Sequence, residues 1–285
     1  MIDMMDIIAD ALKDSVNLLP FLFLTYLFME YVESRAMTGV TKTVARVGAW
    51  GPLFGGVTGI VPQCGFSAAA AGLFSGGVIS LGTLLAVFLA TSDEMLPLFI
   101  SHGLEMGTMV KIIGVKIGIA IVSGFIVDAL VMALKKKRTK TIHDFCESED
   151  CEEEDGIFLA AAKHTVKIWL FILVVNLALN FLLETTGFEA MMQTISVNHW
   201  LSVPVICLVG LIPNCAASVV ITELYLNQLI TGGAMMAGLL VSCGVGLLVL
   251  FRADHNMKES IKITGIMYGL GVFWGLLIEI LGIVF

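Results

Sequence analysis

Two short stretches of this chain carry side chains that could hold a small solute. They are Val61-Pro62-Gln63-Cys64-Gly65-Phe66-Ser67 and Ile212-Pro213-Asn214-Cys215-Ala216-Ala217-Ser218. In each, proline stops an incoming helix and a new helix begins with unpaired backbone N–H groups. Gln63, Ser67, Asn214 and Ser218 add neutral hydrogen-bonding groups, and Cys64 and Cys215 add thiols. These six residues are the first-choice substrate contacts, with a tight packing turn as the alternative reading. A second cluster is Thr91-Ser92-Asp93-Glu94, followed by Pro97 in an apolar run. Adjacent acids within a membrane span are costly and are usually functional. Alternatively, the span ends there and both acids face water. Glu223 lies nine residues beyond Asn214, and Asp128 and Glu279 fall in the last span of each half. With Thr91 to Glu94 they form the candidate set for a metal or a coupling ion. Lys116, inside the same span as Asp128, could snorkel to the interface. His102 and His255 sit at span ends, where solvation is expected.

The elements that must position these groups are membrane helices. Of 285 residues, 58% are hydrophobic and only 14% charged, with a mean hydropathy of +0.94. Soluble domains carry about 45–50% apolar and about 25% charged residues. Apolar runs such as Val78–Ile100, Ile112–Leu134 and Ile261–Phe285 are each about long enough to cross a bilayer as a helix. The net charge of −8 says little about partners, and no nucleic-acid partner is expected. The acidic start, MIDMMDIIADALKDS, is unlike a signal peptide. Four of the six cysteines lie in apolar segments, so a secreted disulfide framework is not expected, and Cys207 and Cys243 read as buried free thiols.

An internal repeat organises the chain. At an offset of 151, residues 9–134 align with 160–285 without a gap: Pro62 with Pro213, Cys64 with Cys215, Ser67 with Ser218. Lys111, Gly114, Gly118 and Gly124 meet Lys262, Gly265, Gly269 and Gly275, and Asp128 meets Glu279. The acids do not repeat: opposite Ser92 and Asp93 stand Cys243 and Gly244. Three units follow, a first repeat over 1–134, a charged linker over 135–159 and a second repeat over 160–285. Each repeat reads as five helical pieces, in the first at about 15–34, 44–61, 63–76, 78–100 and 109–134. The 63–76 piece is too short to span comfortably, so it either spans as a discontinuous helix or folds back as a re-entrant hairpin. Both options give an odd number of crossings, which inverts one repeat relative to the other. Basic residues agree: Arg35, Lys42 and Arg46 then share a side with the run Lys135–Lys140 and with Arg252 and Lys258. That places the linker in the cytosol and both termini outside. The fold class is therefore an all-α polytopic membrane protein of two inverted repeats with broken or re-entrant helices at the Pro-x-Cys turns.

Inverted repeats with broken helices are the architecture of secondary transporters, with the substrate at the repeat interface. No P-loop is present, so an ion gradient or the solute's own gradient drives flux. No histidine falls inside a span to build a catalytic pair, which argues against an enzyme. No cofactor is expected beyond a coupling H⁺ or Na⁺. The partners are lipid and a small inorganic ion, with the chain a monomer or homodimer. His143, Cys146 and Cys151 in the acidic linker could bind a transition metal in the cytosol.

At IVPQCGFSAAAAGLFS, LATSDEMLP and LIPNCAASVVITELYLNQLITGGAMMAGLLVSCGVGLLVLFR the chain resembles a bacterial family of ten-transmembrane heavy-metal exporters, also labelled manganese transporters or arsenic efflux proteins. The resemblance runs the length of the chain. It implies ten spans, a bacterial cytoplasmic membrane and export of an inorganic metal or metalloid ion. The residues leave the substrate open. Asp93, Glu94 and Glu223 suit a hard cation such as Mn²⁺, and Cys64 and Cys215 suit arsenic or a soft metal. Two converging helix N-termini suit an oxyanion such as phosphate or arsenate. A channel of the same fold is a further alternative.

Overall fold

The computed structural model describes residues 50–59, 64–91, 95–134, 199–253 and 257–283, with single positions and pairs between 16 and 27 and between 158 and 177. Among these residues all regular structure is helical. The helices are α1 (Gly51–Thr58), α2 (Cys64–Ser75), α3 (Leu81–Ala90), α4 (Met95–Ser101) and α5 (Met106–Ala133). The second half supplies α6 (His199–Gly210), α7 (Cys215–Leu226), α8 (Gly232–Val241), α9 (Gly246–Ala253) and α10 (Met257–Ile280). The bounds of α7 and α8 are those of α2 and α3 moved by the sequence offset, and α4 and α9, like α5 and α10, start at aligned residues.

The centre is built from α3 and α8. Every residue from Gly82 to Ala90 and from Gly233 to Val241 is buried, as an all-round apolar helix requires. The two central helices touch each other. Around α3 pack α1 and α5, and around α8 pack α6 and α10. Then the halves interlock: α2 lies on α9, and α7 lies on α4. Trp274 Nε1 donates to Ser123 Oγ at 2.9 Å, joining two positions that align with each other in the repeat.

The outer helices show what surrounds the molecule. α5 exposes Val110, Val122, Phe125, Ile126 and Leu130, and α10 exposes Ile261, Ile266, Phe273 and Ile280. The most apolar windows of α5 and α10 are 39% and 28% buried, against 89% for the run Gly232–Ala253, although all three are long and apolar enough to cross a bilayer. Hydrocarbon-facing peripheral helices around a fully buried centre are the expected arrangement in lipid, where each helix satisfies its own backbone. Small residues close the crossings. Gly124 meets Gly82 and Ala86, and Gly275 meets Ala237 and Gly233, whereas the aligned Gly114, Gly118, Gly265 and Gly269 face open space.

One expected element differs. The continuous piece at 78–100 is divided, α3 ending at Ala90 and α4 starting at Met95. In the second half the run Gly232–Ala253 is likewise interrupted between Val241 and Gly246. Apolar periodicity runs straight through both interruptions, which is why a hydropathy reading joins them.

Candidate functional site

The second Pro-x-Cys stretch forms a helix start. Asn214 is the N-cap of α7 in extended geometry, and its Oδ1 accepts from Ala216 N at 3.0 Å. Its own N–H donates back to Ile212 O at 2.7 Å, folding Pro213 into a compact corner after α6. Ser218 and Thr222 follow one and two turns along and are buried. Thr222 Oγ1 donates to Ser218 O at 2.7 Å, and Glu223 is half-buried beside it. In the first half, α2 starts at Cys64 and Ser67 is fully buried. Gln63, Ser92, Asp93, Glu94, His143, Cys146, Cys151 and His255 lie outside the described residues, as do the side chains of Cys64 and Cys215.

Each of these helices packs on the short helix that follows the other half's interruption, α2 on α9 and α7 on α4. Gly246, the first residue of α9, lies on Ser67: a Cβ there would come within 2.6 Å of Ser67 Cβ and 2.8 Å of its Oγ. Only glycine allows that approach. Equivalent packing joins α7 to α4, the short helix that follows the Thr91–Glu94 stretch. Sequence separates the second Pro-x-Cys cluster from the Thr91 cluster, and the packing brings α7 into contact with α4, the helix that follows that cluster.

The interruption in the second half is visible residue by residue. Thr231 caps the start of α8, accepting from Ala234 N at 3.2 Å, and Ser242 ends it with φ −77° and ψ 85°. Cys243 N donates to Val241 O at 3.0 Å, Gly244 takes φ 53°, and Gly246 N donates to Cys243 O at 3.1 Å. The positive φ suits glycine. In the first half Thr91 closes α3 with φ −54° and ψ 130°. Its N–H and its Oγ1 both donate to Val87 O, at 3.0 and 2.8 Å.

At that point the structure supplies a residue that sequence reasoning undervalued. Lys116 does not snorkel. It is 1% exposed, on the inward stripe of α5 with Ile112, Ile119 and Ala120, and its ammonium donates to the carbonyl oxygen of Thr91. A lysine at the centre of a membrane helix costs about 2.5–3.5 kcal/mol on insertion scales. A cation at a helix C-terminus returns about 0.3–2 kcal/mol. The contact therefore does not by itself offset the burial. A signal for Lys116 existed in the sequence: its aligned partner in the second half is Met267, buried and uncharged.

The remaining candidates sit elsewhere. Asp128 serves the start of α3, not its end: Oδ1 accepts from Gly82 N at 2.8 Å and Oδ2 from Ser80 Oγ at 2.6 Å. Ser80 Oγ in turn accepts from Thr83 N at 3.1 Å, so serine and aspartate cap α3 together. Glu279 stands at the corresponding place, where a Cβ on Gly233 would lie 2.5 Å from its Oε2. The length of a ten-residue helix, about 15 Å, separates each carboxylate from the interruption at the far end. His102 is exposed, with Nδ1 near Leu98 O at 3.1 Å. Cys207 and Cys243 are buried free thiols, and Cys207 Sγ donates to Tyr268 O at 3.6 Å. Among the described residues no three His, Cys, Asp or Glu side chains gather as a metal cluster.

Peripheral apolar helices around a buried central pair, with α2 packed on α9 and α7 on α4, define a multi-pass α-helical membrane protein. The family profile described as "Putative, 10TM heavy-metal exporter" matches residues 3–198, and the chain belongs to that family of transporters. The match includes IVPQCGFSAAAAGLFS and LATSDEMLP but stops before the stretch that begins at Leu211, so it is shorter than the full-length resemblance expected from the sequence. No curated protein and no solved structure matches the chain significantly.

Proposed function

We propose that the chain is a secondary-active exporter of an inorganic metal or metalloid ion, of the manganese or arsenic class, in a bacterial cytoplasmic membrane. The observation that carries this reading is the packing of α2 on α9, with Ser67 against Gly246, and of α7 on α4, the short helices that follow the two interruptions. α3 and α8 have ten residues each and rise about 15 Å, half of a hydrocarbon core of about 30 Å. Helices of that length that start at an interface end near the midplane, where transporters of inverted-repeat design bind their solute.

In this reading the two halves are inverted repeats, and rocking one against the other exposes the site to each side in turn. Gln63, Cys64, Ser67, Asn214, Cys215 and Ser218 contact the solute, while Thr91, Ser92, Asp93, Glu94 and Glu223 supply oxygen ligands or carry a coupling H⁺ or Na⁺. The two Pro-x-Cys helix starts and the start of α9 beside Ser67 also favour a second reading, an oxyanion such as phosphate or arsenate held at helix N-termini.

Thermal unfolding of the detergent-purified protein across Mn²⁺, Zn²⁺, arsenite, arsenate and phosphate separates the two, because a ligand bound only to the folded state raises the melting temperature. Stabilisation by Mn²⁺ that disappears in Asp93→Asn/Glu94→Gln supports the cation reading. Stabilisation by phosphate or arsenate that survives both that variant and Cys64→Ser/Cys215→Ser replaces it with the anion reading.

A further inference from the structure

The two cross-half pairs, α2 with α9 and α7 with α4, are matched in position and unequal in packing. In α9 every residue from Gly246 to Leu250 is buried, and α2 buries Ser67, Ala68, Ala70, Ala71 and Phe74. The aligned pair is looser. Leu98 of α4 is half-buried where its counterpart Val249 is buried, and Ile100 is 65% exposed where Phe251 is half-buried. On α7, Tyr225 is half-buried where Phe74 is buried, and Glu223 is half-buried where Gly72 is buried. The sequence explains the difference. Where α2 carries Ala68 to Ala71 and Gly72, α7 carries Val219, Val220, Ile221, Thr222 and Glu223. Where α9 begins with Gly246, α4 begins with Met95. Small residues let helix backbones approach, and larger ones hold them apart.

We propose that the close-packed pair α2–α9 is the pivot between the halves, that α7–α4 is the gate, and that the gate closes when the transported cation neutralises Glu223. With the gate open, the half-exposed flank of α7 faces water, since an ionised carboxylate is costly to leave in hydrocarbon. Closing α7 onto α4 as tightly as α2 lies on α9 gives position 223 the burial that Gly72 already has. A carboxylate buried alone is strongly penalised, so a positive charge must enter with it. The helices α8, α4 and α6 pack on α7, and none of the three carries a Lys or Arg to supply that charge. The cargo supplies it, and the gate shuts only when loaded. This inference rests on the cation reading of the preceding subsection and assigns that transporter its fixed and its moving contact.

The test follows backbone hydrogen–deuterium exchange of the detergent-purified full chain, with and without Mn²⁺, in the wild type and in Glu223→Gln. Glu223→Ala serves as a second neutral variant if the first does not purify. In the wild type, saturating Mn²⁺ slows exchange in α7 and α4 by about tenfold or more and leaves α2 and α9 unchanged. Glu223→Gln shows the slow exchange in α7 and α4 without Mn²⁺, because its neutral side chain lets the gate close unaided. Exchange in α2 and α9 that changes as much as in α7 and α4 overturns the pivot. A Glu223→Gln protein that exchanges like the metal-free wild type overturns the role of the carboxylate. Mn²⁺ that raises the melting temperature without slowing α7 and α4 overturns the gate and leaves the cation reading standing. A wild type whose melting temperature ignores Mn²⁺ overturns the cation reading, and the metal-free comparison with Glu223→Gln still decides whether α7–α4 is a gate.

Discussion

The interruption after α3 and the interruption after α8 are one design executed twice, with different contents. The first ends at Thr91, leads into Asp93 and Glu94 and has Lys116 on its last carbonyl. The second ends at Ser242, passes through Cys243 and Gly244, and aligns with Met267. Geometry alone is satisfied by the second, which makes its turn with two backbone hydrogen bonds and one glycine at positive φ. Lys116 has an uncharged residue, Met267, at the aligned position of the second half. A charge buried in a membrane span in one half only is a functional-site signal.

Exchanging the contents of the two interruptions tests this most severely. Met267→Lys buries an ammonium at the position aligned with Lys116, in the half whose interruption holds no acid, and the expected loss is about 3 kcal/mol or more, read as failure to purify as a monodisperse species. Normal thermal stability in that variant would mean that both interruptions tolerate charge equally, and the contrast between them would collapse. Gly246→Val acts on the contact between halves: its Cβ would meet Ser67 at 2.6 Å, and the overpacking costs about 1–3 kcal/mol in thermal unfolding. Transport in proteoliposomes is expected to fall further than stability does, since α2 and α9 meet at the proposed site.

Smaller effects are expected at the opposite ends of the same helices. Asp128→Asn weakens two hydrogen bonds at the start of α3 and is expected to lower stability by about 1–2 kcal/mol while Mn²⁺ stabilisation is retained. Loss of the Mn²⁺ response in that variant would move Asp128 from cap to ion pathway. The smallest change is Trp274→Phe, which removes the hydrogen bond to Ser123 and costs about 1 kcal/mol, measured by the same melt.

Several of these features were legible beforehand. The apolar runs announced a membrane protein, and the pairing of Pro62 with Pro213 announced two matched corners, of which the second is described and starts α7 at Cys215. The acids at Asp93 and Glu94 stood out because a span rarely holds them. What hydropathy could not show was the division of 78–100, because a helix interruption lined by Thr, Ser, Cys or Gly barely lowers the apolar average of its window. Asp128 and Glu279 looked alike in sequence to any intramembrane carboxylate. Their place at helix starts depends on which residues lie across the crossing, Ser80 and Gly82 for Asp128 and Gly233 for Glu279. Lys116 was misjudged for a similar reason: a long side chain inside a span can reach the interface or turn inward, and only the packing of α5 against α3 decides.

The sequence by itself determined the membrane class, the internal repeat and the residue types available for a site, because these follow from composition, periodicity and self-alignment along one dimension. Tertiary structure decided which of those residues meet. The interlock of α2 with α9 and α7 with α4 is set by close packing between halves, at contacts such as Ser67 on Gly246, that involve residues about 180 positions apart. No local propensity encodes such a pairing, since the energy that selects it exists only once both halves are folded against each other.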